Sequence, residues 1–160
     1  MLSHQADVVE ITDRYRDGAI DLLERFFHEE GFSTPAHRIV CNLDQMLADD
    51  TCWVAAVMQD GLLRGIVTVT TMLYVEWGRL GEIGDLYILP GSRNQGLARR
   101  LVDAAIDWGR RRGCSGMYVT IAADVEARQR LLQFYKRLNF EPTGRTTMMW
   151  AGFTERTLSE

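Results

Sequence analysis

Residues 82–98, EIGDLYILPGSRNQGLA, constrain this chain more than any other stretch. An apolar strand pattern ends at Ile88, a loop with Pro90 and Gly91 follows, and a helical pattern opens at Gln95 with Gly96 in its first turn. A helix start leaves N–H groups without intrahelical acceptors, and the helix dipole adds partial positive charge there. The junction is a ready anion site. Gly96 lets an anion approach the backbone closely, and Arg93 adds positive charge at the rim. The expected ligand is a phosphate or pyrophosphate. Two other phosphate motifs are absent, GxxxxGK(S/T) anywhere and GxGxxG after the strand.

The rest of the chain reads as alternating strands and helices. Val8 to Ile11 is a short strand, and Thr12 is placed to cap the helix that carries Tyr15, Ala19, Leu22, Leu23 and Phe26. Thr34 and Pro35 open a second helix, striped by Ala36, Ile39, Val40, Leu43, Met46 and Leu47. Cys52 to Met58 is a buried strand, Asp60-Gly61 a hairpin turn, and Ile66 to Val75 its β-branched partner. Glu82 to Ile88 is the next strand, after a turn at Trp77-Gly78. In the helix from Gln95, Leu97, Leu101, Val102, Ala105 and Trp108 share a side, and Gly113 ends it. Met117 to Ile121 is a strand, Glu126 to Leu138 a helix with Leu131, Phe134 and Leu138 inward, and Arg145 to Ala151 a last strand. The order β-α-α-β-β-β-α-β-α-β specifies a mixed α/β layer fold.

The bulk properties narrow the class. The 160 residues fit one domain with room for a full core, and 46% hydrophobic against 25% charged residues is an ordinary globular balance. The net charge of -4 lacks the basic excess of a nucleic-acid binder. Arg99, Arg100, Arg110, Arg111 and Arg112 interleave with Asp103 and Asp107, as on a solvated helix face. Cys41, Cys52 and Cys114 are an odd, scattered set without CxxC, which points to reduced thiols. No signal peptide or membrane span is expected, so the expected location is cytoplasmic. His4, His28 and His37 are too dispersed to suggest a metal site.

Three segments together resemble one family. Arg93-Asn94-Gln95-Gly96-Leu97-Ala98 resembles the (R/Q)-x-x-G-x-(G/A) signature of the GNAT N-acetyltransferase superfamily. Asp85 to Pro90 resembles that family's strand ending, and Phe134-Tyr135-Lys136-Arg137-Leu138-Asn139-Phe140 resembles its F-Y-x-x-x-G-F segment. The element order agrees along nearly the whole chain. The resemblance implies a GNAT-type α/β fold, with a central, mostly antiparallel, splayed sheet flanked by helices, as one domain over 1–160. It implies acetyl-coenzyme A as cosubstrate and no metal. The Gln95 to Ala98 N–H groups would hold the pyrophosphate, with Arg93 and Asn94 beside them. The backbone of Leu86, Tyr87 and Ile88 would pair with the pantetheine arm. Tyr135 would lie near the coenzyme sulfur.

Direct acetyl transfer needs an unprotonated amine, hence a base or water relay. It also benefits from a proton donor for the departing thiolate. By the resemblance Tyr135 is the expected acid. Gly84 stands where many members of the family carry a glutamate. Glu82 shares a face with Gly84 in a regular strand and is the leading base, whereas Asp85 lies on the other face unless a bulge intervenes. Glu29 and Glu30, at the end of the first helix, suit a cationic acceptor. Asn139 replaces a family glycine, and Arg128 and Leu131 replace the usual Asn and Ala. Cys114 has no histidine placed to activate it. The expected partner is a small-molecule amine, such as an aminoglycoside, with neither nucleic acid nor membrane; a homodimer stays open. An acetyltransferase for protein termini or lysines, and a silent coenzyme A-binding module, are the alternatives.

Overall fold

The computed structural model describes residues 6–121 and 125–149, with side chains from 6–121 and 127–149. The chain forms two compact units, Met1–Thr120 and Ile121–Glu160. The first unit contains β1 (Asp7–Glu10), α1 (Arg16–Glu29), α2 (Ala36–Ala48), β2 (Cys52–Gln59) and β3 (Leu62–Tyr74). It continues with β4 (Gly78–Ile88), a 3-10 turn (Pro90–Ser92), α3 (Leu97–Arg111) and β5 (Gly116–Val119). The second unit contains α4 (Val125–Arg137).

One sheet, in the order β1-β2-β3-β4-β5, organises the first unit. All pairs are antiparallel except β4 with β5. β2 is apolar from Cys52 to Met58 because both its faces are covered. Val54 and Ala56 join Ile66 and Tyr87 under α1 and α2, where Ala19, Leu22, Leu23, Ile39 and Leu43 close the core. On the opposite face, alternate residues meet α3, and Trp53 stacks on Trp108 with ring centroids 5.7 Å apart. Leu97, Leu101, Val102 and Ala105 of α3 are all buried, each large side chain contributing about 1.5–3 kcal/mol. Gly81 and Gly109 both leave room for Met117, since a β-carbon at either would collide with its sulfur.

β4 begins at Gly78 and β3 at Leu62, both earlier than their sequence patterns indicate. The helix expected from Gln95 starts at Leu97, because Asn94 and Gly96 take left-handed conformations at φ 60° and 74°. Neither expected side-chain cap forms. Tyr15 occupies the cap position of α1 and bonds back to the Thr12 carbonyl, and Pro35 occupies that of α2. Residues 145–149 carry no strand, and the remainder of the expected Arg145 to Ala151 strand lies outside the described residues. In α4, Leu131 is exposed and Tyr135 is buried, reversing the expected inward set at that position.

Helices α1, α3 and α4 end in the same way. Gly31, Gly113 and Asn139 sit at positive φ, and the next residue donates back across the last turn: Phe32 to Phe27, Cys114 to Gly109, and Phe140 to Tyr135. This is the Schellman arrangement. Asn139, at φ 66°, performs the glycine's role because asparagine tolerates the left-handed region better than other side chains. The accompanying apolar contact is Tyr135 on Phe140, 5.3 Å between centroids. Asn139→Gly should therefore leave α4 intact or stabilise it. Asn139→Val should cost about 1–2 kcal/mol, because a β-branched residue is a poor left-handed cap. Chemical denaturation with amide-exchange protection across α4 checks both, and a neutral Asn139→Val would refute the capping role.

Candidate active site

The pairing of β4 changes along its length. β5 pairs with Leu80 to Ile83 only. Beyond Ile83 the strand continues to Ile88 with β3 on one side and, among the described residues, no strand on the other. Leu89 N–H bonds Arg64 C=O, which fixes the alternation of the antiparallel ladder. The N–H and C=O groups of Leu86 and Ile88 then point toward the unpaired edge, and those of Tyr87 toward β3.

A bulge lies where the splay begins. Val67 pairs with Leu86 and Val69 with Ile83, so Gly84 and Asp85 together oppose Thr68. The Thr68 hydroxyl accepts from Asp85 N–H at 2.9 Å and donates to Asp85 Oδ2 at 2.7 Å. Strict alternation would put Asp85 on the face opposite Glu82; the bulge instead turns it toward Thr68. Glu82 opposes Thr70, two residues along on that same face. Burial pushes the Asp85 carboxyl above its ordinary range, and the Thr68 bond offsets part of this. Glu82 accepts from Tyr118 Oη at 3.0 Å and Thr120 Oγ1 at 3.1 Å. The Tyr118 phenol is raised by burial and by that carboxylate.

β4 leads into the loop before α3. Arg93, Asn94, Gln95 and Gly96 are exposed, Ala98 is half-buried, and Leu97 is anchored in the core. Arg100 N–H bonds Gly96 C=O and begins the helix ladder. The N–H groups of Gln95, Gly96, Leu97, Ala98 and Arg99 meet no acceptor among the described residues, and no side chain caps the helix. A β-carbon on Gly96 would meet nothing within 4 Å, so no other part of the protein crowds this turn.

Arg93 and Glu29 are brought together. Arg93 Nη2 donates to Glu29 Oε1 at 2.6 Å, and Tyr87 Oη donates to Glu29 Oε2 at 2.8 Å. Arg93 Nε donates to Ile88 C=O at 3.0 Å, with the guanidinium 5.7 Å from the Tyr87 ring centroid. Burial works to raise the Glu29 carboxyl, but the Arg93 and Tyr87 bonds outweigh it and hold it below the usual range. The Arg93 and Glu29 side chains are 44% and 37% exposed, so the ion pair adds only about 0.2–1 kcal/mol to stability. Glu30 is exposed and caps the end of α1.

Tyr135, in the second unit, is buried against Phe134 and Phe140, and burial pushes its phenol up to about 12. Burial also raises the Cys114 thiol, which disfavours a nucleophilic thiolate. The cysteines are free thiols. Among the described residues, no group of three or more His, Cys, Asp or Glu could hold a metal, and no helix is long and apolar enough to cross a membrane. Sequence reasoning missed Thr68, Tyr118, Thr120 and the Tyr87 hydroxyl. Gly84 was the available signal for the bulge, since an isolated glycine in a strand often marks one.

The model of the acetyltransferase (GNAT) family matches residues 16–140. A curated relative, streptothricin acetyltransferase of Streptomyces lavendulae, is 30% identical over 105 residues, 66% of this chain and 52% of that protein. The chain thus spans about half the length of that relative. Among solved structures, aminoglycoside N-acetyltransferase AAC(6')-Iy in complex with CoA gives a TM-score of 0.79 at 19% identity, covering 91% of this chain and 94% of that one. A ribosomal-protein-alanine N-acetyltransferase from Brucella melitensis biovar Abortus 2308 gives 0.72 at 18% identity, covering 91% and 99%. At these identities the structural likeness speaks for the fold.

Asp85 yields a prediction about stability. Its folded proton affinity exceeds the unfolded one, because burial disfavours the charged carboxylate. The resulting stabilisation is present below the unfolded carboxylate range and is lost as pH rises through the folded value. Above the ordinary carboxylate range the raised proton affinity of Asp85 therefore costs stability. Asp85→Asn should therefore raise Tm at pH 7, and the gain should shrink as pH falls toward 4. Thermal melts across that range check this, and a Tm deficit at pH 7 would show that the Thr68 bond outweighs desolvation.

Proposed function

Because the chain belongs to the acetyltransferase (GNAT) family, we propose that it is an acetyl-coenzyme A-dependent N-acetyltransferase acting on a primary amine of a small, cationic molecule. The observation that carries the coenzyme reading is the continuity of the β4 edge with the uncapped start of α3. An extended amide-bearing arm can add along Leu86 and Ile88 as a strand does. Its phosphates then arrive where the Gln95 to Arg99 N–H groups and the helix dipole converge. When bound, acetyl-coenzyme A supplies an activated acetyl thioester.

The protein's own groups position the amine and manage its proton. A lysine-like amine, with a pKa of about 10.4, is protonated near pH 7 and must lose a proton before attack. Asp85 suits this task, since a raised carboxyl binds protons more readily than an ordinary one. Glu82 already accepts from Tyr118 and Thr120, which suits a fixed carboxylate that attracts a cationic acceptor. Glu30 adds negative charge at the end of α1, and Glu29 is committed to Arg93 and Tyr87. The small-molecule reading draws support from the names of relatives that act on streptothricin and aminoglycosides.

Tyr135 is assigned as hydrogen-bond donor to the departing sulfur on the motif match alone. A phenol pushed up to about 12 keeps its proton at neutral pH. Complete transfer to a thiolate, whose acid has a pKa of about 8.5, is uphill. A hydrogen bond that strengthens as charge develops on sulfur fits those values better.

Two experiments test the function. Gly96→Glu should abolish coenzyme A binding in calorimetry by charge and bulk, with about 1–2 kcal/mol of stability lost at this left-handed position. Unchanged affinity in the folded variant would remove the phosphate site from this loop. The second is acetyl transfer to a panel of aminoglycosides, polyamines and peptides, read by thiol release against pH. Asp85→Asn should lower kcat about 10²–10⁴-fold near pH 7 and recover as pH approaches the amine pKa. Glu82→Gln should raise the acceptor KM while leaving the kcat profile in place. The opposite result would make Glu82 the base. Tyr135→Phe should lose rate at every pH, and a wild-type kcat with chemistry rate-limiting would discard its role. Coenzyme A binding without turnover on any amine would favour a silent binding module.

A further inference from the structure

Arg93 is the one side-chain cation of the loop before α3, and its obvious use is to contact the coenzyme phosphates. Its bonds direct it elsewhere. The fork of the guanidinium is divided between Ile88 C=O at the end of β4 and Glu29 at the end of α1. Tyr87 supplies the third fixed point. Its ring belongs to the core beneath α1 and α2, the guanidinium lies over that ring, and its hydroxyl holds the second Glu29 oxygen. The end of α1 is itself set by the Gly31 turn, which places Glu29 in the last helical turn. Nε and Nη2 are thus committed to partners at the ends of β4 and α1.

We propose that Arg93 serves coenzyme binding as a positioning residue, tying the end of β4 and the phosphate loop to α1 through Glu29 and Tyr87, while the phosphates are held by backbone N–H groups. The proposal rests on the coenzyme reading above and assigns Glu29 to the coenzyme side of the site. Arginine is required for this task. Lysine keeps the charge but has no planar fork to span the Ile88 carbonyl and the Glu29 carboxylate together. Direct phosphate contact makes the opposite demand, because lysine binds phosphate well as a point charge.

The test is calorimetric coenzyme A affinity for the full chain, with a melt of each variant to verify folding. Arg93→Lys should weaken binding as much as Arg93→Gln, about 3- to 10-fold. Glu29→Ala should weaken it by a similar factor, although it removes a negative charge near a polyanionic ligand. Glu29→Gln keeps an oxygen acceptor and should retain most of the affinity. The Glu29→Ala/Arg93→Gln double variant should bind no worse than Arg93→Gln, since both changes break one connection. Raising salt should weaken wild type and Arg93→Gln in parallel, because no direct charge contact with phosphate is lost. Wild-type affinity in Arg93→Lys, tighter binding in Glu29→Ala, or additive losses would each overturn the proposal. In those outcomes wild-type binding leaves the coenzyme reading standing. A wild-type chain that binds no coenzyme A would sink that reading, and the proposal with it.

Discussion

The site depends on one irregularity in hydrogen bonding, the two residues of β4 that share a single partner on β3. An antiparallel ladder is indifferent to chemistry as long as it repeats. Where Gly84 and Asp85 both face Thr68, the repeat is broken and the Thr68 hydroxyl takes over part of the pairing. Side-chain parity reverses at this point. Ile83 belongs to the face covered by α3, whereas Tyr87, four residues later, lies under α1 and α2. Without the reversal, Tyr87 would not meet Glu29, and Asp85 would not share a face with Glu82.

The same irregularity coincides with the end of the β4–β5 pairing at Ile83. A strand that loses a neighbour must satisfy its outward polar groups in another way or leave them for water and ligands. β4 does both. The Ile88 carbonyl accepts from Arg93, and the outward groups of Leu86 stay without a strand partner among the described residues. The stabilising interactions of the first unit lie elsewhere, in the apolar faces against α3 and against α1 with α2. Site polarity is concentrated where that packing is interrupted, so the unfavourable burial of Asp85 is supported by a core that does not depend on it.

Much of this was legible in the sequence. The α3 stripe from Leu97 to Trp108 and the apolar β2 run follow from periodicity, because packing repeats with the backbone. The loop-to-helix junction between Pro90 and Ala98 was legible for the same local reason. The face of Asp85 was not, because parity across a bulge depends on the register with β3, a non-local quantity. The pairing of Arg93 with Glu29 spans 64 positions and leaves no mark in either local pattern. The late start of α3 was hard to read because Asn94 serves as a left-handed residue where glycine is the usual signal.

The bond from Arg93 to Ile88 also bears on solubility. A β-strand with an unpaired edge is a template for any other extended chain, and a nascent or partly unfolded copy of the same protein presents many such segments. A foreign strand can propagate along β4 only as far as matching donors and acceptors alternate. Pro90 ends the run on one side and the bulge disturbs it on the other, and the arginine has already taken the last outward carbonyl. The accessible stretch is reduced to the Leu86 pair and the Ile88 N–H. That is long enough for a flexible arm with a few amides, but too short to nucleate a sheet. An open edge that stops so soon offers a foreign strand little to pair with.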